Sequence, residues 1–249
     1  KHRGHLKQLS SQLGNFVRTN NEAIVGVSMR GSDVNMTEGV AITSKVALDE
    51  NTHLEPVRYS SGSDALSVLA TLLTDGGGSA PRALKWVATC VRHPVDFIRS
   101  LWPFGWARKS LILLVMQTVP GHMKMRMHRR WWWPFSRTLT SDAQGSEVPR
   151  FIPAANQAAK SIAEKLDGVP VSSVTEVLLD VPTTAHILGG CPMGETMEDG
   201  VIDARNRVHG HPGLYVIDGS MIAGTLGVNP SLTITALAER AMSFIPAKD

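Results

Sequence analysis

TAHILGGCPMG (184–194) and VIDARNRVHGHPGLYVIDGSMIAGTLGVNPSLTITALAERAMSFI (201–245) are the stretches whose reading decides the fold. From His186 to Ile245 the parts follow a fixed order. His186 stands just before Gly189-Gly190-Cys191-Pro192. A turn of the type Asp-x-x-x-Arg-Val-His-Gly follows at 203–210, and then a short apolar run, Leu214 to Ile217, ends in Asp218-Gly219-Ser220. A Gly-rich loop with Gly224 and Gly227 leads to Asn229-Pro230 and a helical pattern. Asn229 is a good N-cap, because its side-chain oxygen can accept from free first-turn amides. Pro230 suits the first helical position, where no donor is needed. Apolar residues at Ile234, Leu237, Ala238, Ala241 and Ile245 form one stripe. Glycines before the helix let backbone approach a ligand closely, and a helix N-terminus favours an anion or an electron-rich group. Taken alone, the helix start is an ordinary strand-loop-helix with a good cap.

The whole string resembles the C-terminal signature of the glucose-methanol-choline (GMC) flavin oxidoreductases, and within them a cholesterol-oxidase-like branch. That pattern is a His before Leu-Gly-Gly-Cys-x-x-Gly, then Arg-Val-x-Gly, Gly-Leu-x-Val-x-Asp-Gly-Ser and Gly-Val-Asn-Pro-Ser-Leu-Thr-Ile-Thr-Ala, nearly all of which stands here. LGNFVRTNNEAIVGV (13–27) and THLEPVRYSSGSDAL (52–66) also resemble the middle of that branch. The resemblance implies an FAD cofactor and oxidation of a secondary alcohol, a sterol such as cholesterol being the first candidate, with the hydride passing to flavin N5. A GMC dehydrogenase for another apolar alcohol is the alternative within the class. A non-catalytic module that binds lipid or a partner is the alternative outside it.

Composition agrees with a globular chain of 249 residues, 43% hydrophobic and 19% charged. The net charge of +3 is too small to argue for a nucleic-acid partner. Cys90 and Cys191 make neither a disulfide framework nor a metal site, so no metal is expected. No apolar run is long enough for a membrane span. Flavin proteins of this kind carry a strand, a G-x-G-x-x-G turn and a helix for the pyrophosphate. Gly76-Gly77-Gly78 has the wrong spacing for it. The chain therefore reads as the C-terminal part of a longer enzyme, the FAD-binding N-terminal region being its partner.

The expected fold class is α/β: an α+β substrate domain with an antiparallel sheet, plus the C-terminal segment of an FAD-binding α/β domain. Residues 1–22 read as a connection, 23–184 as the substrate-binding domain, and 185–249 as the segment returning to the FAD domain. Strands are expected over 23–29, 39–43, 52–59, 110–119, 123–129 and 214–217. Helices are expected over 64–75, with Gly76 as a stop, over 81–101 with a break near Pro94, and over 153–166 with Gly168 ending it. Residues 140–149 read as a polar loop. The Trp131-Trp132-Trp133 stretch, with Trp102 to Trp106, has two readings. One is an interfacial patch making peripheral membrane contact. The other, favoured here, is a half-buried hairpin with Met as core filler.

His186 is suited to accept or position a hydroxyl proton, although a lone His is more often a core residue. The resemblance places it at the substrate hydroxyl, and it places Asn229 where a cap and a donor to flavin or substrate oxygen are compatible. It assigns Gly189, Gly190, Asp218, Gly219, Asn229, Pro230 and Ser231 to the cofactor. Asp218-Gly219 could equally be a plain strand-ending turn. Cys191 has no base or activating charge beside it in sequence and is not favoured as a nucleophile. Glu55 is either a strand-surface charge or the counterpart of an active-site Glu of the branch.

Overall fold

The computed structural model describes residues 6–31, 33–130, 133–144 and 148–246, without the side chains at 130 and 133–135. The strands are β1 (Ala23–Met29), β2 (Val46–Ala47), β3 (Thr52–Val57), β4 (Ala70–Leu72), β5 (Ser110–Gln117), β6 (His122–Arg130), β7 (Trp133–Gln144) and β8 (Gly168–Ser173). The helices are α1 (Arg82–Arg92), α2 (Pro94–Ser100), α3 (Trp106–Lys109), α4 (Pro153–Lys165), α5 (Val174–Leu178) and α6 (Ser231–Met242). The mixture of helices with antiparallel sheet agrees with the expected class.

The chain forms two compact units: Lys1–Asn20, Thr118–Val148 and Ala185–Asp249 make one, and Asn21–Gln117 with Pro149–Thr184 make the other. Residues 118–148 thus group with the terminal segments and not with 23–117.

The second unit is built on a six-stranded sheet of order β2-β3-β5-β1-β8-β4, every pairing antiparallel. β1 lies between β5 and β8, and its alternate residues explain why. Ala23 and Val25 join Leu54, Leu113 and Val115 on one face, covered by Ala155 and Ala159 of α4. Ile24 points the other way, towards a cluster of Trp106, Ala107 and Ile112 with Val57, Leu66 and Ala70. Apolar residues on both faces are what a central strand requires. The sheet therefore has a helix-covered face and a face floored by Ile24, Ile112, Val57 and Val171.

The first unit holds the β6–β7 ribbon, in register from His122↔Gln144 to Arg129↔Arg137. Its core is Leu188, Val201, Ile202, Val208, Met221 and Ile222, with Ile234 and Leu237 of α6 packed against it.

Several expectations need correction. Residues 64–75 are not one helix: a 3-10 turn at Ser63–Leu69 gives way to β4, whose pairing with β8 outweighs the local helical spacing. Gly39–Thr43 contributes only an isolated bridge, Ile42↔Val57. The polar tract from Thr140 is strand as far as Gln144, held by β6. β5 and β6 follow one another but pair in different sheets, so Pro120-Gly121 is a crossing and not a hairpin turn. Leu214–Ile217 makes one bridge, Arg207↔Tyr215, among the described residues and no named strand. After α4 the left-handed position is taken by Asp167 (φ 45), while Gly168 opens β8. A side chain there would run into Val27. α1 and α2 break at His93-Pro94 as expected. Trp131 and Trp132 lie outside the described residues.

Candidate functional site

In the first unit the N-terminal segment straps the signature loops together. Gly14 donates its amide to Gly190 O at 2.7 Å, and Arg18 exchanges backbone bonds with Leu188. The Arg18 guanidinium donates to Gly121 O at 2.7 Å, to Thr225 Oγ1 at 3.3 Å and to Ala223 O. Asn20, left-handed at φ 55, donates from Nδ2 to Val228 O at 3.0 Å and accepts the Gly227 amide at 3.3 Å. The loop leading to Asn229 is thus tied at two successive residues.

The Gly189-Gly190 turn lies directly on the Asp218-Gly219-Ser220 turn. Gly189 N donates to Gly219 O at 3.0 Å and Cys191 N to Ser220 O at 2.9 Å. Gly189 takes φ +73, and a Cβ there would collide with the Phe16 carbonyl, so glycine is required by the chain itself as well as by any ligand. The Asp218 carboxylate is exposed and accepts the Ser220 amide at 2.8 Å and its hydroxyl. His186 and Asn229 are half-buried, and Ser231 is exposed. Burial and the Asp218 charge push the Cys191 thiol up against the pull of Ser220, so it keeps its proton and is no nucleophile.

The cap assignment needs correction. α6 begins at Ser231 with Pro230 in the cap position, and no side chain caps it. Pro230 has no donor to lose, and one residue's shift removes Asn229 from the cap. A helix N-terminus of this kind favours an electron-rich group such as a flavin edge. The Gly189-Gly190 and Asp218–Ser220 turns supply further backbone and carboxylate groups of the kind a dinucleotide cofactor needs. These residues fit FAD.

Glu55 lies in the second unit. It is 6% exposed, which excludes the strand-surface reading. It shares a sheet face with His53, Val57 and, through the register, Leu114 and Ile24. The His53 Nε2 lies 3.8 Å from Glu55 Oε1. Burial, helped by Lys45, pulls the His53 pKa down against the pull of Glu55, so a neutral imidazole sits beside the carboxyl. That Nε2 has no hydrogen-bond partner among the described residues. Sequence reading passed over His53; the single available signal was its i, i+2 spacing to Glu55. On the same face opens an apolar cavity of about 240 Å³, lined by Ile24, Tyr59, Leu69, Trp106, Ile112 and Val171 among others.

Residues 130–238 match the family model described as GMC oxidoreductase. Over that stretch the chain is similar to the C-terminal domain of that family. It is 48% identical to a cholesterol oxidase of Acinetobacter baumannii over 248 residues, 100% of this chain and 44% of that protein. A cholesterol oxidase of Mycobacterium tuberculosis is 42% identical over 257 residues, covering 99% of this chain and 43% of the relative. The chain thus spans less than half the length of these curated relatives. A 2-methyl-1,2-propanediol dehydrogenase of Mycolicibacterium austroafricanum is 40% identical over 68 residues, 27% of this chain and 12% of that one. The solved structure of pyridoxine 4-oxidase from Mesorbium loti aligns with a TM-score of 0.47 at 15% identity, covering 94% of this chain and 44% of that one.

Proposed function

We propose that the intact protein oxidises an apolar secondary alcohol, a sterol first among candidates, with FAD as cofactor. The observation that carries this reading is similarity to cholesterol oxidases along the whole chain, through both units. The first unit is the part that returns to FAD, and the second binds substrate. Gly189, Gly190, Asp218, Gly219, Asn229, Pro230 and Ser231 would hold the cofactor, which supplies the acceptor for the hydride leaving the carbinol carbon. His186 holds the substrate hydroxyl and takes its proton at an imidazole nitrogen. Asn229, just ahead of α6, would donate from its side-chain amide to the electron-rich partner. Glu55, buried beside neutral His53 on the sheet face that also carries the apolar cavity, is the acid/base on the substrate side.

A smaller apolar alcohol is the second reading. The cavity of about 240 Å³ lies below the roughly 300–1,000 Å³ usual for ligand sites, which favours it.

Anaerobic stopped-flow reduction tests the assignment. His186→Ala should slow reduction by substrate about a hundredfold to ten-thousandfold while flavin content stays near normal. Reduction at the wild-type rate would make His186 structural.

A further inference from the structure

The apolar cavity of the second unit carries a cluster of hydroxyls. Its wall is mostly aliphatic and aromatic, with Ile24, Leu66, Leu69, Trp106 and Ile112, but Ser173, Thr175 and Thr183 line it as well. Side chains alternate along β8, so Ser173 shares the sheet face of Val171. Thr175 follows in the first turn of α5, and Thr183 lies in the irregular segment after it. The three hydroxyls close a triangle. Ser173 Oγ lies 2.8 Å from Thr175 Oγ1 and 3.1 Å from Thr183 Oγ1, and the two threonine oxygens lie 2.6 Å apart. Ser173 stands at the N-cap of α5, where a Ser normally accepts a first-turn amide, yet it makes no capping bond. Its hydroxyl goes to the two threonines instead.

Each hydroxyl has one proton and two lone pairs. The three edges of the triangle use all the protons and half of the lone pairs. Thr183 also reaches the buried Glu176 carboxyl. Ionised, Glu176 draws the Thr183 proton out of the triangle; protonated, it fills one more lone pair. In either state acceptors outnumber donors. Surplus lone pairs in an apolar wall call for a proton from a ligand. A keto or ether oxygen would set oxygen against oxygen, and a methyl group would leave the lone pairs dry. An ammonium would lose its hydration against the apolar wall. An alcohol hydroxyl meets none of these objections. An apolar wall with a few placed polar groups is also the usual build of a small-molecule site.

We propose that Ser173, Thr175 and Thr183 form a subsite for a hydroxyl that is not oxidised, carried by an apolar ligand whose body lies in the cavity. The class selected is a diol with its hydroxyls at opposite ends of an apolar skeleton. At about 240 Å³ the cavity takes one end of a sterol-sized molecule, so the subsite reads the end remote from the reacting carbon. That the ligand is a substrate rests on the proposed activity; that the cavity recognises a hydroxyl does not.

The test uses the intact flavoprotein, reduced with dithionite under anaerobic conditions so that no ligand is oxidised. Equilibrium dialysis in one detergent compares cholesterol with 25-hydroxycholesterol, which differ by a single tail hydroxyl. Ser173→Ala with Thr175→Val keeps the shape of the wall and removes two of the three hydroxyls. It should weaken the diol about three- to tenfold, the worth of one hydrogen bond, and move cholesterol by less than about twofold. Thr175→Ser, which keeps its hydroxyl, should bind both ligands as wild type does. If the double variant melts more than about 5 °C below wild type, Thr175→Val alone takes its place in the same comparison. Equal effects on the two ligands, or no effect on the diol, overturn the proposal. In the oxidised protein, the diol concentration for half-maximal flavin reduction should rise by the same factor as its dissociation constant. Discrimination in binding without flavin reduction by either ligand would sink the proposed activity and spare the subsite.

Discussion

Glu176 is 2% exposed and accepts the Ile24 amide at 3.0 Å. Burial raises its pKa from 4.5 to about 7, against opposing pulls led by that amide and by Arg82. Above pH 4.5 the unfolded chain gives up this proton, while the folded chain keeps it until about pH 7. The folded state then binds more protons, so stability falls as pH rises through that window. At about 1.4 kcal/mol per unit, the loss is roughly 3 kcal/mol at most. Glu176→Gln should flatten the decline, and urea titrations at pH 5 and pH 8 would measure it. Equal losses in both proteins would mean that other groups carry the pH dependence. Asn20 gives a second test. Asn20→Gly keeps the left-handed backbone but loses both ties to Gly227 and Val228, at about 1–3 kcal/mol. Amide exchange over residues 224–230 should quicken; unchanged exchange would show that the strap holds nothing. His186, Asp218 and Gly189 were legible in the sequence because they stand in one contiguous motif. His53 and Glu176 were not, because what distinguishes them is burial, set by strands distant in sequence.

At the scale of elements, local periodicity decided what could be read. α4 shows a stripe at Ala155, Ala159 and Ala163, all at most 2% exposed, and its start at Pro153 was visible. β1 and β5 carry continuous apolar runs and were equally plain. β4, β7 and β8 were missed because their residues are ordinary and each exists through a partner: β8 for β4, β6 for β7, β1 for β8. α6 was placed correctly in kind but one residue early, since Asn229-Pro230 satisfies the capping rule in sequence and the backbone starts its turn at Ser231. The small residues of α4 set how closely it approaches the sheet. Ala159→Leu should therefore cost about 1–3 kcal/mol by overpacking. Gln157→Leu, on the exposed side, should stay within about 0.5 kcal/mol. Denaturant midpoints of the two variants should separate clearly, and equal midpoints would show that α4 rides loosely on the sheet.

At the scale of the whole molecule, the chain passes from one unit to the other after Asn20, Gln117, Val148 and Thr184. Neither unit is contiguous, which sequence alone did not reveal, because a strand pair such as β6–β7 has no composition that marks its unit. The candidate residues divide with the units: the FAD-side set lies in the first, and Glu55 with the apolar cavity in the second. If the units divide the labour in that way, substitutions should separate cleanly. Asp218→Ala removes an exposed carboxylate and the cap of the Ser220 turn. It should lower flavin occupancy in the intact protein, read from the ratio of visible to ultraviolet absorbance. Leu69→Trp adds bulk at an exposed position, 57% accessible, that lines the apolar cavity. It should leave flavin occupancy and the melting midpoint unchanged while raising KM, because it blocks binding and not the chemical step. Several-fold growth in KM for a bulky sterol, with little change for a short apolar alcohol, would mark the cavity as the place where substrate length is read. Unchanged KM for both would place the substrate elsewhere, and flavin loss in Leu69→Trp would contradict the division of labour itself.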